Sequence, residues 1–235
     1  MQPNAEPLTV PQRFHGPPRS GNGGWTAGAL AERLAGTGTA CTVALRLPPP
    51  LETPLAVEEG ETGLAAVHDG RTVAEAHVAA TDPEPVAPVT AAEALDAQAR
   101  YPGFGKHPFP TCFACGPDRE EGDGLHIFPG RVAGDASRVA TTWTPYDVTV
   151  PITWAALDCS GGWASGVDER PRVLGTMTAR IDRLPVSGEQ HVVVGTLRGE
   201  EGRKAFTASS LYAPDGGLVA TAEHVWIAVD VKDFA

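Results

Sequence analysis

The hydrophobic and polar positions of the chain define two groups of short segments that are typical of β-strands, and each group follows one longer, apolar segment. Proline and glycine residues bound the short segments, as expected for strands joined by turns. The first group of predicted strands covers residues 42–47, 55–57, 62–68 and 72–78, and the second covers residues 173–184, 191–199, 204–212 and 218–229. Two further strands are predicted at residues 125–128 and 137–143. We therefore expect a protein rich in β-sheet.

The two longer segments are predicted to be helices, at residues 25–34 and 151–164. A glycine ends the first helix. Pro151 suits the first turn of the second helix, because the N–H that proline lacks would be unsatisfied there. Both helices are rich in alanine and glycine, which a helix needs when a sheet closes around it. A third, shorter helix is predicted where Thr90 and Glu93 form a capping box.

One sequence pattern occurs twice. The segment at residues 69–78, which begins Asp-Gly and ends His-Val, returns at residues 215–225, each time as the last predicted hairpin of its half. This repetition predicts an α+β fold of two units in tandem, each a central helix wrapped by an antiparallel sheet. An α+β sandwich with one helix on one sheet has a similar order of elements and stays open as an alternative. The predicted boundaries are residues 1–81 for the N-terminal unit, 82–120 for a connector and 121–235 for the C-terminal unit.

Composition and charge exclude several classes of protein. The 235 residues carry a formal net charge of −11 without any basic run, which argues against a nucleic-acid partner. No apolar run reaches the roughly 18–20 residues that span a bilayer, so we expect no membrane span. The N-terminus lacks the basic and apolar regions of a signal peptide. We therefore expect a cytoplasmic location.

One carboxylate stands out in the second predicted helix. Asp158 lies in the apolar stretch 154–163, and it aligns with Ala31 when the two helices are superimposed in sequence. Burying a carboxylate is costly unless it is paired or used. Burial would also raise its pKa, which suits a general base. An aspartate on the solvent face, or one that bonds to neighbouring backbone, is the alternative interpretation.

A Cys-x-x-Cys motif marks a second group of candidate residues. Cys112 and Cys115 form half of a typical zinc site, with His107 five residues before the motif and His126 eleven residues after it. These four residues could hold a structural zinc ion in a loop that has little core of its own. Two free or core cysteines, or a redox pair, are the alternatives. We expect Cys159 to be a small packing residue rather than a nucleophile, because no histidine is near it in sequence.

Three further stretches resemble segments of one known family. Residues 22–28, Asn-Gly-Gly-Trp-Thr-Ala-Gly, resemble a His-Gly-Gly-type start of a central helix, with asparagine in place of histidine. Residues 155–158 resemble a helix segment that bears a catalytic carboxylate, and residues 210–220 resemble a final hairpin. The family is that of the hotdog-fold acyl-CoA thioesterases in their double-hotdog form, and the hairpin resembles that of the bacterial medium- and long-chain enzymes. The resemblance extends over most of the chain.

The resemblance implies a set of catalytic residues. In these thioesterases an Asp, a Thr and a Gln hold the attacking water. Asp158 matches the Asp and Thr176 matches the Thr, whereas the Gln position falls at His224 or one residue earlier at Glu223. The absence of glutamine puts this water-binding arrangement in doubt. His224 could still exchange a proton or a hydrogen bond, although the matching His77 in the first half suggests a repeated structural role.

The resemblance also implies a substrate and a way to bind it. Backbone N–H groups of Asn22, Gly23 and Gly24, at the N-terminus of a helix, would polarise a thioester carbonyl. We expect hydrolysis of an acyl-CoA or related thioester to free acid and CoA by a water that Asp158 activates, without any required cofactor, and a homodimer is a possible assembly. A non-catalytic acyl or acyl-CoA binding protein of the same fold is the main alternative. A hotdog hydratase or dehydratase is a third, but these enzymes use a histidine near the carboxylate.

Overall fold

One antiparallel sheet of eleven strands runs through the molecule in this computed structural model, which describes residues 5–234. The strands are β1 (Ala5–Leu8), β2 (Cys41–Leu45), β3 (Leu55–Glu59), β4 (Gly63–His68), β5 (Arg71–Val78), β6 (Gly130–Val132), β7 (Asp135–Trp143), β8 (Arg172–Ile181), β9 (His191–Glu201), β10 (Lys204–Tyr212) and β11 (Leu218–Ala228). Their order across the sheet is β1-β3-β4-β5-β2-β8-β11-β10-β9-β7-β6. The helices are α1 (Gly23–Leu34), α2 (Ala91–Gln98) and α3 (Val150–Ala164).

The sheet consists of two units that meet at β2 and β8. Strands β1 to β5 accompany α1, and strands β6 to β11 accompany α3. At the junction Cys41 lies opposite Ala179, and the hydroxyl groups of Thr42 and Thr178 are 2.8 Å apart. The predicted fold class, two α+β units in tandem with a central helix and an antiparallel sheet in each, is therefore confirmed. Residues 1–4 and 235, at the ends of the predicted units, lie outside the described residues, and the exact unit boundaries stay predictions.

The two central helices pack directly against each other through glycine. A Cβ atom at Gly24 would lie 2.5 Å from the Cβ of Asp158 and 2.8 Å from the carbonyl oxygen of Trp154. A Cβ atom at Gly28, one turn further on, would lie 2.8 Å from the Cα of Pro151. Side chains at these two positions would therefore push the helices apart. The glycines that the sequence places in α1 allow the N-terminus of α1 to reach the middle of α3.

Helix α3 is the most enclosed element of the protein, since all of its 15 residues are buried. Small residues on α3 allow the sheet to approach closely, as the sequence predicted. A Cβ atom at Gly161 would lie 2.5 Å from the Nδ1 of His224 on β11. On the other side, the Ser160 carbonyl is so close to β9 that a Cβ atom at Gly195 would lie 2.3 Å from its oxygen. The helix therefore lies inside the curve of its own sheet.

The connector between the units contributes to both faces of the second unit. Helix α2 packs on the face of β7 and β9 that is opposite α3, where Ala94 and Ala97 contact a separate apolar cluster. Its predicted capping box is present: Glu93 N–H donates to the Thr90 hydroxyl over 3.2 Å, and Thr90 N–H donates to the Glu93 carboxylate over 2.8 Å. The part of the connector after α2, with the Cys-x-x-Cys motif, packs in the main core on the side of the central helices.

Two local predictions need correction. The strand predicted at residues 125–128 is not part of the sheet, because its backbone bonds to the cysteine loop instead. Leu125 N–H donates to the Phe113 carbonyl, and Ile127 N–H donates to the Ala114 carbonyl, each over 2.9 Å. Helix α1 begins two residues earlier than predicted, since the Asn22 side chain caps it. Of the helices that the structure describes, none combines the length and the apolar character needed to cross a membrane.

Candidate active site

A pocket of about 300 Å³ opens where the N-terminus of α1 meets the middle of α3. Both units line it: Asn22 and Gly23 come from α1 and its cap, and Asp158 comes from α3. Most of the other lining side chains are apolar. They include Leu45, Leu47, Phe109, Trp163, Leu174 and Trp226. The pocket therefore combines an apolar wall with one carboxylate and one helix N-terminus.

Asn22 fixes the start of α1 at the edge of this pocket. Its side-chain oxygen accepts a hydrogen bond from Trp25 N–H over 2.8 Å, which satisfies one of the free donors of the first turn. Its side-chain nitrogen lies 3.7 Å from the Cys112 sulfur and donates to it. Its own N–H donates to the Phe14 carbonyl over 2.7 Å. Asn22 therefore joins α1 to the cysteine loop.

Asp158 is a buried carboxylate, with 2% of its surface exposed. Its Oδ2 atom accepts a hydrogen bond from Gly24 N–H over 2.9 Å. Its Oδ1 atom is buried and has no hydrogen-bond partner among the described residues. Burial raises the pKa of Asp158 to about 8, against the opposing effect of the Gly24 hydrogen bond. This carboxyl group can therefore hold or release a proton near neutral pH.

The three predicted backbone donors have different partners. Gly24 N–H bonds to Asp158, and Asn22 N–H bonds to the Phe14 carbonyl. Gly23 is the first residue of α1, where an N–H has no partner within the helix, and it lines the pocket. A Cβ atom at Gly23 would lie 2.8 Å from the Cβ of Leu174. Asn22 and Gly23 therefore line the same pocket as Asp158, and Gly24 bonds to its carboxylate.

Thr176 does not reach the pocket. On β8 it lies opposite Ala44 and Val225, whereas its neighbour Met177 is fully buried on the other face of the strand. The register shifts at this point: Leu174 pairs with Trp226 and Thr176 with Val225, so that Gly175 is an extra residue in β8. Such a bulge changes which side chains point inward. Gly175 and Leu174, not Thr176, line the pocket.

His224 lies behind α3 and not in the pocket. It is 3% exposed, its Nδ1 is 3.2 Å from the Thr207 hydroxyl, and its Nε2 has no partner among the described residues. Burial lowers the pKa of His224 to about 3, so that the ring is neutral at ordinary pH. The matching His77 is exposed. The structure therefore gives the two histidines of the repeat different surroundings.

Three cysteines meet at the pocket. The sulfur atoms of Cys112, Cys115 and Cys159 all lie within 4.8 Å of one another, and those of Cys112 and Cys159 are 4.0 Å apart. All three residues are buried, and all three line the pocket. Hydrogen bonds from the two neighbouring thiols lower the pKa of Cys112. The sequence prediction paired the first two cysteines but assigned Cys159 to simple packing.

The two histidines of the predicted metal site lie in different places. His107 Nε2 is 3.4 Å from the Cys115 sulfur, and its Nδ1 accepts a hydrogen bond from Phe109 N–H over 2.9 Å. His126 is turned away: its Nε2 is 3.2 Å from the Arg119 carbonyl oxygen, and its ring stacks on Phe128 at a centroid distance of 5.3 Å. The structure thus brings His107, but not His126, to the cysteines.

One arginine that lines the pocket is already paired. Arg172 is buried, with its guanidinium bonded to the Ser165 carbonyl and to the Glu200 carboxylate. Arg46, at the rim, is half-exposed and pairs with Glu75 over 2.8 Å. Sequence reasoning did not single out Arg46, Phe109 or Trp226, because their role depends on which loops and strands meet at the pocket.

Comparison with solved structures places this architecture among known folds. No family model matches the chain, and no curated protein matches its sequence. A protein of unknown function with a hotdog fold from Alicyclobacillus acidocaldarius matches with a TM-score of 0.62 over 98% of this chain and 95% of that chain, at 14% identity. The chain has a tandem hotdog fold.

Other solved structures with this tandem hotdog arrangement carry thioesterase descriptions. A candidate thioesterase from Novosphingobium aromaticivorans matches with a TM-score of 0.62 over 98% of both chains, at 16% identity. The acyl-CoA thioesterase II TesB2 from Mycobacterium marinum matches with a TM-score of 0.52 over 94% of this chain and 91% of that chain, at 14% identity. At these identities the comparison establishes the fold of the tandem hotdog chain and not its activity.

Proposed function

We propose that this protein hydrolyses thioesters, with acyl-CoA thioesters as the substrate class. The observation that carries the proposal is the meeting of Asp158 with the N-terminus of α1 at a pocket with apolar walls. A carboxylate and a helix N-terminus are the two groups that ester hydrolysis by activated water requires, one as base and the other for the oxyanion. Each unit of the tandem fold supplies one of them.

The arrangement suggests a sequence of steps. A water molecule bonded to the free Oδ1 of Asp158 attacks the thioester carbonyl carbon while Asp158 takes its proton. The carbonyl oxygen becomes an oxyanion that Gly23 N–H and the positive end of α1 stabilise. The carbon–sulfur bond then breaks, and the leaving thiolate takes the proton back from Asp158. The products are a free acid and a thiol, and the carboxylate is regenerated.

The shape of the pocket supports an apolar acyl group. A volume of about 300 Å³ is at the lower end for small-ligand pockets. It therefore suits the acyl part of the substrate, while the nucleotide part of coenzyme A would lie outside, beyond the rim at Arg46. The solved structure from Mycobacterium marinum is described as an acyl-CoA thioesterase and that from Novosphingobium aromaticivorans as a candidate thioesterase, which supports a thioester substrate. Hydrolysis requires no cofactor in this scheme.

The test is a thiol-release assay of the native protein and of Asp158→Asn with a panel of acyl-CoA thioesters of increasing chain length. The amide keeps the shape of the side chain but cannot take the proton, so we expect kcat/KM to fall by about 10²–10⁴. Asp96→Asn, at an exposed position of α2, is the matched control and should keep full activity. Circular dichroism and thermal unfolding of both variants check the fold.

Two outcomes would overturn parts of the proposal. If native protein releases no thiol at any chain length but binds acyl-CoA in calorimetry, it is a binding protein and not a hydrolase. If Asp158→Asn keeps its activity, hydrolysis occurs without this carboxylate, and the assignment of Asp158 as the base is wrong.

A further inference from the structure

The three cysteines at the pocket come from two parts of the chain that are distant in sequence. Cys112 and Cys115 lie on the connector loop, and Cys159 lies on α3, 47 residues after Cys112. All three are at most 6% exposed. The fourth cysteine, Cys41, lies on β2 and is not a member of the group. The grouping is therefore specific to one place in the fold.

The distances between the sulfur atoms suit a thiophilic metal ion. A zinc–sulfur bond of about 2.3 Å with tetrahedral angles places sulfur ligands about 3.8 Å apart. The Cys112 and Cys159 sulfurs are 4.0 Å apart, and the three sulfurs all lie within 4.8 Å of one another. Small side-chain rotations would bring all three into coordination distance. Three thiols form a donor set that favours zinc over magnesium or calcium, which prefer oxygen.

Two polar side chains, Asn22 and His107, lie next to the sulfur atoms. The Asn22 side-chain nitrogen donates to the Cys112 sulfur over 3.7 Å. His107 Nδ1 accepts a hydrogen bond from Phe109 N–H, so the proton of His107 lies on Nε2. Nε2 is 3.2 Å from the Cys115 carbonyl oxygen and 3.4 Å from the Cys115 sulfur. His107 is therefore placed as a hydrogen-bond donor to Cys115 and not as a metal ligand.

We propose that Cys112, Cys115 and Cys159 bind one zinc ion, with its fourth coordination position facing the pocket. All three cysteines line the pocket wall, so a metal held between them presents its remaining side to the cavity. Binding deprotonates the thiols, and their protons pass to solvent. The ion would fix the connector loop to α3, in a segment that has few strands or helices to hold it. Of the four ligands predicted from the sequence, the proposal keeps Cys112 and Cys115. It adds Cys159 and leaves out both His107 and His126, which bonds to the Arg119 carbonyl.

The first test measures zinc directly and is independent of hydrolysis. The full chain is purified under reducing conditions with zinc supplied, and bound metal is measured by mass spectrometry of the elements. We expect about one zinc ion per chain, and its loss in Cys112→Ser, Cys115→Ser and Cys159→Ser. Cys41→Ser is the matched control, since Cys41 is also buried, and it should keep the metal. His126→Asn should also keep it.

The second test uses the native chain, so it does not depend on whether a serine variant folds. Cobalt replaces zinc, and thiolate ligands give a sulfur-to-cobalt charge-transfer band in the near ultraviolet whose intensity reports their number. We expect an intensity that corresponds to three thiolates, and a shift of the visible cobalt bands when a small thiol fills the open position. The band should persist in His107→Gln.

Three results would overturn the proposal. They are reduced native protein that takes up neither zinc nor cobalt, zinc retention in Cys159→Ser, and a cobalt spectrum with two sulfur ligands that changes in His107→Gln. Thiol release that fails while zinc binds would reject the hydrolase alone, and thiol release without zinc would reject the metal site alone.

Discussion

The two central helices occupy the same place in their units, yet their surroundings differ. Helix α3 is buried along its whole length and carries Asp158 in its middle. Helix α1 has exposed residues in its second half, Glu32 and Arg33, and only its N-terminal part reaches the pocket. The carboxylate thus belongs to the helix that is more enclosed, and the helix N-terminus that faces it comes from the other unit. The two similar units therefore form one asymmetric site, because the N-terminus of α1 meets the middle of α3.

The largest effect is expected when α1 receives a buried carboxylate of its own, which tests whether the two central helices differ in this respect. Ala31 is the residue that aligns with Asp158, and it is 2% exposed. Ala31→Asp should lower the free energy of unfolding by about 3–5 kcal/mol, because a buried charge without a partner is that costly. Urea unfolding measures the change. Ala92→Asp, on the exposed first turn of α2, is the control and should change stability little. A fully stable Ala31→Asp protein would show that the two helices are interchangeable.

The contact between the helices can be tested with one methyl group. Gly24→Ala adds a Cβ atom 2.5 Å from the Cβ of Asp158, which should cost about 3 kcal/mol and weaken the Gly24 hydrogen bond. Thiol release should fall together with stability. Gly199→Ala is the matched control, since no atom lies within 4 Å of its added Cβ. Equal stability of the two variants would contradict the close approach of α1 and α3.

The histidines of the two units provide a test by pH. Burial lowers the pKa of His224 to about 3, below the ordinary value of about 6.5. The native state therefore binds fewer protons than the unfolded state, and His224 stabilises the fold fully only above pH 6.5. As pH falls towards 3, stability should decrease by about 1.4 kcal/mol per pH unit from this group.

Urea unfolding at a series of pH values measures this effect. His224→Gln should give a flatter acid limb than the native protein, while His77→Gln, at an exposed position in the other unit, serves as the control. Parallel curves for the native protein and His224→Gln would show that protonation of His224 does not lower the free energy of unfolding.

Much of the fold could be predicted from the sequence because its signals are local. Each signal depends on residues that are close together in the sequence. The signals are the capping box of Thr90, the small residues of the two central helices and the Asp-Gly turn. Asp69 and Gly70 have φ angles of 47° and 70°, as the predicted turn requires. Asp158 could also be identified from the sequence, because a carboxylate is costly to bury and stands out in an otherwise apolar helix.

The parts of the site that the sequence did not indicate depend on distant contacts. The extra residue Gly175 in β8 shifts Thr176 away from the pocket, and no local pattern marks that bulge. Cys159 reads as a packing residue until the fold brings it to Cys112. The segment 125–128 resembles a strand because it is apolar, but it is buried against the cysteine loop. The cytoplasmic location, the homodimer and the catalytic roles stay predictions.

At the junction of β2 and β8, an edge strand of each unit pairs with an edge strand of the other. Four residue pairs, from Cys41 with Ala179 to Ala44 with Thr176, close an edge that would otherwise present free N–H and carbonyl groups. A chain divided in the connector would leave two fragments, each with one newly exposed edge, β2 in the first and β8 in the second. Either fragment expressed alone should pair with a copy of itself, which sedimentation would reveal as a doubled mass. Each fragment would thus form a symmetric dimer of identical units, whereas the intact chain pairs two different units.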